Sequence, residues 1–151
     1  MKLTSNDFQH GQPIPGPFTC QGKGVSPDLA WTEPPAGTVS LALLMEDPDA
    51  PGGLFTHWMI FHIPPESKGL PRGLPGEGDL DNGAMQGTND FERIGYGPPC
   101  PPPGSPHRYF FRLYALDYQP ALSPGVTRTD LLEAISGHVL DEAELMGTVA
   151  A

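Results

Sequence analysis

Two carboxylates stand close together in Asp47-Pro48-Asp49-Ala50-Pro51, directly after an apolar run. The prolines fix the backbone around them and hold both acids at the end of that run. His57 lies early in a second apolar run, Leu54 to Ile63 (LFTHWMIFHI). A third stretch, from Gly95 through Gly97-Pro98-Pro99-Cys100-Pro101-Pro102-Pro103-Gly104-Ser105-Pro106 to His107-Arg108-Tyr109, is a stiff proline-rich loop that enters an aromatic run at His107. Carboxylate, imidazole and phenol are the groups of acid–base work and of anion recognition, and histidine is the side chain that ordinarily titrates near neutral pH. Gly97, with no side chain, lets a ligand approach its backbone N–H. Each feature taken alone has a plainer reading. Asp-Pro-Asp is more often a turn in which Asp caps its own backbone. A lone strand histidine is more often a satisfied core or surface residue, and a polyproline II loop is often a docking surface.

These residues need strands to aim them. Thr38 to Met45 (TVSLALLM) has the length and flanking breakers of a buried central strand. Leu54 to Ile63 and Tyr109 to Leu116 read as two more strands, and His138 to Val149 as a fourth. Residues 1–16 read as an edge strand and a turn. Alternation along a strand predicts that His57 shares a face with Met59 and Phe61, and His62 the other with Trp58 and Ile60. The two histidines should therefore not meet at one metal, and neither metal nor cofactor is expected. The same alternation groups His107, Tyr109, Phe111 and Leu113 on one face, with Arg108, Phe110 and Arg112 on the other. Thr129 to Ser136 carries the one clear helix pattern, with Thr129 as N-cap and Gly137 as stop. Residues 64–106 form a long Gly, Pro, Asp and Asn-rich region of the kind that is usually functional or disordered. No alternating βαβ pattern, Gly-rich phosphate loop or G-x-S-x-G elbow is present. The expected fold is mainly β, an antiparallel Greek-key β-sandwich with one or two short helices near the C-terminus, forming a single domain over 1–151.

With 151 residues, one core suffices without a metal or disulfide staple. The 19 glycines and 20 prolines cluster between apolar runs, so they punctuate turns rather than signal disorder. A net charge of −10 with only 8 Lys plus Arg makes nucleic acid and anionic membrane poor partners, so any anion must be held by a local site. Cys20 and Cys100 are too few and too far apart for a disulfide scaffold. Two buried thiols are the favoured reading, and one long-range disulfide is the alternative. No run approaches the ~20 apolar residues of a membrane span. The expected location is the cytoplasm, a mature periplasmic protein having the same appearance.

Taken together, the stretches FTCQGKGVSPDLAW, SLALLMEDPDAPGG, FTHWMIFHIP, AMQGTNDFERIGYGPPCPPPGSPHRYFFRLYALD and HVLDEAELMGT resemble the phosphatidylethanolamine-binding protein family, in its bacterial and archaeal Raf-kinase-inhibitor-like branch. They cover most of the chain. The resemblance implies an anion pocket carried by Asp47, Asp49, His57, Pro98, His107 and Tyr109, with Gly97 beside them. It implies a binding module for a small phosphorylated or anionic ligand, with a kinase or a protease as a conceivable protein target and a homodimer left open. Two carboxylates beside an anion would repel it. Asp47 and Asp49 are therefore expected to orient and charge the histidines, while the phosphate meets His57, the Tyr109 hydroxyl and the Gly97 N–H. The alternative is a weak acid–base enzyme acting on a phosphoester. Binding is favoured over catalysis, because no nucleophile paired with a base stands out.

Overall fold

The computed structural model describes residues 1–151. Its centre is β3 (Ser40–Asp47), in which all eight residues are buried. That follows from a continuous apolar run, which has two faces to cover rather than one. Leu41, Leu43 and Met45 face the larger apolar cluster, whereas Ala42 and Leu44 face a smaller one on the other side. β3 pairs antiparallel with β4 (Phe55–Ile63) and with β7 (His107–Leu116). Adding β6 (Met85–Gln86) and β8 (Val139–Val149) gives a five-stranded sheet in the order β6-β4-β3-β7-β8. A second sheet, β1-β2-β5, comprises Leu3–Thr4, Leu29–Trp31 and Gly69–Leu70. Leu3, Leu29, Trp31 and Leu70 from this sheet join Met45, Trp58, Phe111 and Leu113 in one cluster, so the two sheets share a core. The fold is mainly β and antiparallel, with one α-helix and a short 3₁₀ turn at Gly16–Phe18.

The helix α1 (Arg128–Ile135) covers the outer face of the large sheet with Leu131 and Ile135, which are four residues apart and both buried. Its N-cap is Thr127, not the Thr129 expected from sequence. The Thr127 hydroxyl accepts from the Asp130 N–H while the Asp130 carboxylate accepts from the Thr127 N–H. Thr129 has Leu132 three residues on, which cannot return a bond. Gly137, at φ +81°, ends the helix as expected.

The long stretch between β4 and β7 is ordered by two buried amides. Gln86 accepts from the Trp58 indole N–H at 2.7 Å and donates to the Pro75 and Glu77 carbonyls at 2.7 and 2.8 Å. Asn89 donates to Gly95 O at 2.9 Å and accepts from the Phe91 N–H at 2.9 Å. Buried amides can saturate four directions at once, so they replace the missing ladder hydrogen bonds of a loop.

Candidate functional site

β4 is not a regular strand. Met45 pairs with Trp58 and Glu46 with Thr56, which leaves His57 as an extra residue in a β-bulge. The bulge overturns simple alternation. Trp58 and Ile60 face the inter-sheet core while Met59 and Phe61 face α1. His57, instead of joining Met59 and Phe61, lies 5.2 Å from the Tyr109 ring on the inter-sheet side. A second register shift further along β4 leaves His62 at φ 55°, with its Nε2 against the Pro120 carbonyl at 2.5 Å, away from the cavity.

Gly97 fixes His57 twice. The Gly97 N–H donates to the His57 carbonyl at 2.8 Å, and His57 Nδ1–H donates to the Gly97 carbonyl at 2.7 Å. Asn89 holds the same loop through Gly95. Burial pushes the proton affinity of the His57 ring down, the Gly97 carbonyl and the charges of Asp47 and Asp90 offsetting part of this. On the opposite wall, His107 Nδ1–H donates to Asp47 at 2.8 Å. The other Asp47 oxygen accepts the Asp49 N–H at 2.8 Å. Burial first, then the Asp47 charge, pushes the Tyr109 hydroxyl well above the usual phenol range, so it stays a donor.

Asp47, His57, His107 and Tyr109 thus line one cavity of about 160 Å³. The remaining predicted residues are placed differently. Asp49 turns to Arg108, accepting from its backbone N–H, Nε and Nη2, each at 2.9 Å. These bonds hold its carboxyl down at about 2, so Asp49 is paired with the Arg108 guanidinium rather than with a histidine. Gly97 spends its N–H on His57, leaving none for a ligand. Pro98 sits behind the wall against Gly24. Cys100, Pro101 and Pro102 face the cavity in its place, together with Phe55 and Phe91. Phe55 was reachable from sequence only through the register that pairs it with Asp47. Phe91 lies in the loop region and carried no periodic signal.

Cys20 and Cys100 form a disulfide across 80 residues, contrary to the two buried thiols favoured from sequence. Both half-cystines lie at the surface, where the Cys20 N–H also donates to the Pro99 carbonyl at 3.0 Å. The long separation, which argued against pairing, disappears in the fold because the N-terminal 3₁₀ turn and the proline-rich loop are neighbours.

Packing at Gly97 gives the first test. A Cβ there would lie 2.5 and 2.6 Å from the Phe91 ring. Gly97→Ala is expected to drive Phe91 outward, open the cavity wall and lower stability by about 1–3 kcal/mol. Urea denaturation with a crystal structure of the variant checks both parts.

A family model described as phosphatidylethanolamine-binding protein matches residues 4–150. A UPF0098 protein of Methanothermobacter thermautotrophicus is 50% identical over 147 residues, covering 97% of both chains. One from Aquifex aeolicus is 43% identical, covering 97% of this chain and 86% of the relative. Among solved structures, a phosphatidylethanolamine-binding protein homolog of Chlamydia trachomatis superposes with a TM-score of 0.91 at 42% identity, covering 99% of this chain and 97% of that one. Escherichia coli YbcL, described as a new member of the mammalian family, gives 0.90 at 31% identity over 99% and 98%. The chain belongs to the phosphatidylethanolamine-binding protein family.

Proposed function

We propose that this protein binds a small phosphate-like anion in the cavity between β3, β4 and β7, and that it acts as a binding or regulatory module. The observation that carries this reading is the convergence of His57, His107 and the Tyr109 hydroxyl on one cavity. Imidazole and phenol are donors suited to phosphate oxygens. At about 160 Å³ the space lies below the usual range of roughly 300–1,000 Å³ for drug-sized ligands. It suits a phosphoryl group with a small substituent rather than a whole lipid. The exposed Pro102 and Phe91 at its mouth supply a rim through which a protein target, such as a kinase or a protease, could be engaged. The Cys20–Cys100 disulfide supports an oxidising compartment over the reducing cytosol.

Titration calorimetry with inorganic phosphate, paired with NMR of the histidine rings, is expected to give a saturable single site that shifts His57 and His107 together. Absence of saturable binding would remove the reading. The Asp47–His107 pair favours a second one, acid–base catalysis on a phosphoester, because a carboxylate fixing the tautomer of a cavity histidine is the arrangement of a general base. Release of p-nitrophenol from p-nitrophenyl phosphate, lost in His107→Ala, is the result that reading requires.

A further inference from the structure

Four of the seven residues from Cys100 to Pro106 are prolines, which have no N–H to donate. The three that have one, Cys100, Gly104 and Ser105, bond to no carbonyl, and no carbonyl of the segment accepts a bond. Only Pro101 is half-buried, and the other six residues are exposed. Cys100, Pro101 and Pro102 nevertheless form one wall of the cavity. Between its two ends, this strap has a single firm tie to the rest of the molecule, the bond from Cys100 to Cys20.

The surroundings of the strap are of two kinds. Cys20 stands on a fixed post, because Phe18 and Thr19 before it are buried and the Phe18 carbonyl accepts from the Tyr96 hydroxyl at 2.6 Å. Pro99 is held by the Cys20 N–H at 3.0 Å, and Pro98 packs against Gly24. The strap is therefore anchored up to Pro99. At its far end Gly104 takes φ +139° with open space where a Cβ would stand, a joint about which a stiff piece can turn. Pro101 to Pro103 have fixed φ, so they turn as a unit.

We propose that the Cys20–Cys100 bond is a redox latch on this strap: reduction by a dithiol frees Cys100–Pro103 to turn about Gly104, removing one wall of the cavity while the sheets stay folded, and reoxidation restores it. Both half-cystines are exposed, where thiol–disulfide exchange can begin. A thiolate of the dithiol attacks one cystine sulfur, the S–S bond breaks, and the other cysteine leaves as a thiolate that takes up a proton. The second thiol of the reductant then attacks the mixed disulfide and releases the first cysteine as a thiol. Two electrons pass to the protein, and the dithiol leaves as a disulfide. The sheets do not depend on the bond, since the core cluster contains neither cysteine. The consequence for a ligand rests on the anion-pocket reading above: a small anion must re-order the freed wall on binding.

Dithiothreitol added to the native protein tests the latch by two independent readings. In NMR relaxation, the order parameter of the Cys100 amide is expected to fall from about 0.85 to below about 0.6 on reduction and to recover on reoxidation, while Gly97 and β7 stay near 0.85. In titration calorimetry, inorganic phosphate is expected to bind the reduced protein about three- to tenfold more weakly, the cost of ordering a freed segment. A Cys100 amide as rigid after reduction as before would overturn the latch, as would reduction that requires denaturant or abolishes the β7 and β8 signals. Equal phosphate affinity in the two states would overturn its control of the cavity. The Cys20→Ser, Cys100→Ser variant is expected to show the loose strap with and without dithiothreitol, and a further change on adding it would overturn the assignment to this bond. Oxidised protein that binds no phosphate would remove the anion reading instead, and the order parameters would still decide the latch.

Discussion

Replacing both half-cystines, Cys20→Ser with Cys100→Ser, is expected to lower the free energy of unfolding by about 4 kcal/mol, near the upper end of typical disulfide contributions. The bond closes a segment of 80 residues, so the unfolded chain without it regains a large loop-closure entropy. The folded state also loosens, because Cys100 belongs to the cavity wall and its loop holds Cys20 through the Pro99 carbonyl. The native sheets should survive, since the 21-residue core cluster contains neither cysteine. Urea denaturation of the oxidised protein and the double variant measures the difference. A midpoint shift equivalent to under about 1 kcal/mol would show that the bond is incidental to stability. Weaker phosphate binding by the folded variant is expected alongside, from the slackened Pro101–Pro102 wall.

His57→Ala is expected to lose phosphate affinity by about ten- to a hundredfold, the range for one hydrogen bond to a charged group. Tyr109→Phe should lose about 1–3 kcal/mol for the same reason. The two variants differ in their dependence on pH. In the empty folded protein, burial keeps the His57 proton affinity below its ordinary value. The unfolded chain therefore binds more protons than the native one between the lowered value and the reference of about 6.5. The stability linked to His57 is fully present above about 6.5 and is lost as pH falls through the lowered value. Binding runs the other way. An anion favours a proton between itself and His57, whether the ligand carries it or the ring takes it up, so affinity should rise as pH falls from about 8 to 6. Tyr109→Phe should keep that slope, and His57→Ala should flatten it. Calorimetry at both pH values with each variant measures it, and an unchanged slope in His57→Ala would move the linked proton to His107.

The four longest strands and the helix were legible because run lengths and breakers mark them, whereas β2, β5 and β6, of two or three residues each, carry no such run. β3, β4 and β7 lie within two residues of the limits read from sequence, and β8 begins at Val139. The grouping of Tyr109, Phe111 and Leu113 follows from alternation along a regular strand, and the core cluster contains all three. His57 defeated that logic, because alternation assumes one residue per step and the bulge supplies an extra one. A bulge has no composition of its own in LFTHWMIFHI, so only pairing with β3 reveals it. The disulfide was illegible for a related reason: separation along the chain carries no information about two loops that a sheet brings together. Asp49 reads from sequence as a partner of the histidines and Gly97 as a donor to the ligand, whereas Asp49 bonds Arg108, the Gly97 N–H bonds the His57 carbonyl, and neither residue lines the cavity. Their competitors, the Arg108 guanidinium and the His57 carbonyl, lie on neighbouring strands.

β8 closes one side of the large sheet and has no strand beyond it. Residues 11–14 run along its far end, with the Gly11 N–H donating to the Met146 carbonyl and Ile14 to Thr148. Its first half is open, and there Val139 and Leu140 are 40% and 45% exposed. An open strand rim with apolar side chains is a template on which a second chain can stack. On the same half Asp141 holds the Met1 ammonium at 3.0 Å and Glu144 accepts from Arg112 Nε at 3.2 Å, so ion pairs and the Glu142 carboxylate cover this rim with charge. A rim guarded by charge rather than by another strand resists stacking by a second copy, and apolar residues in place of those charges would turn it into a surface for self-association.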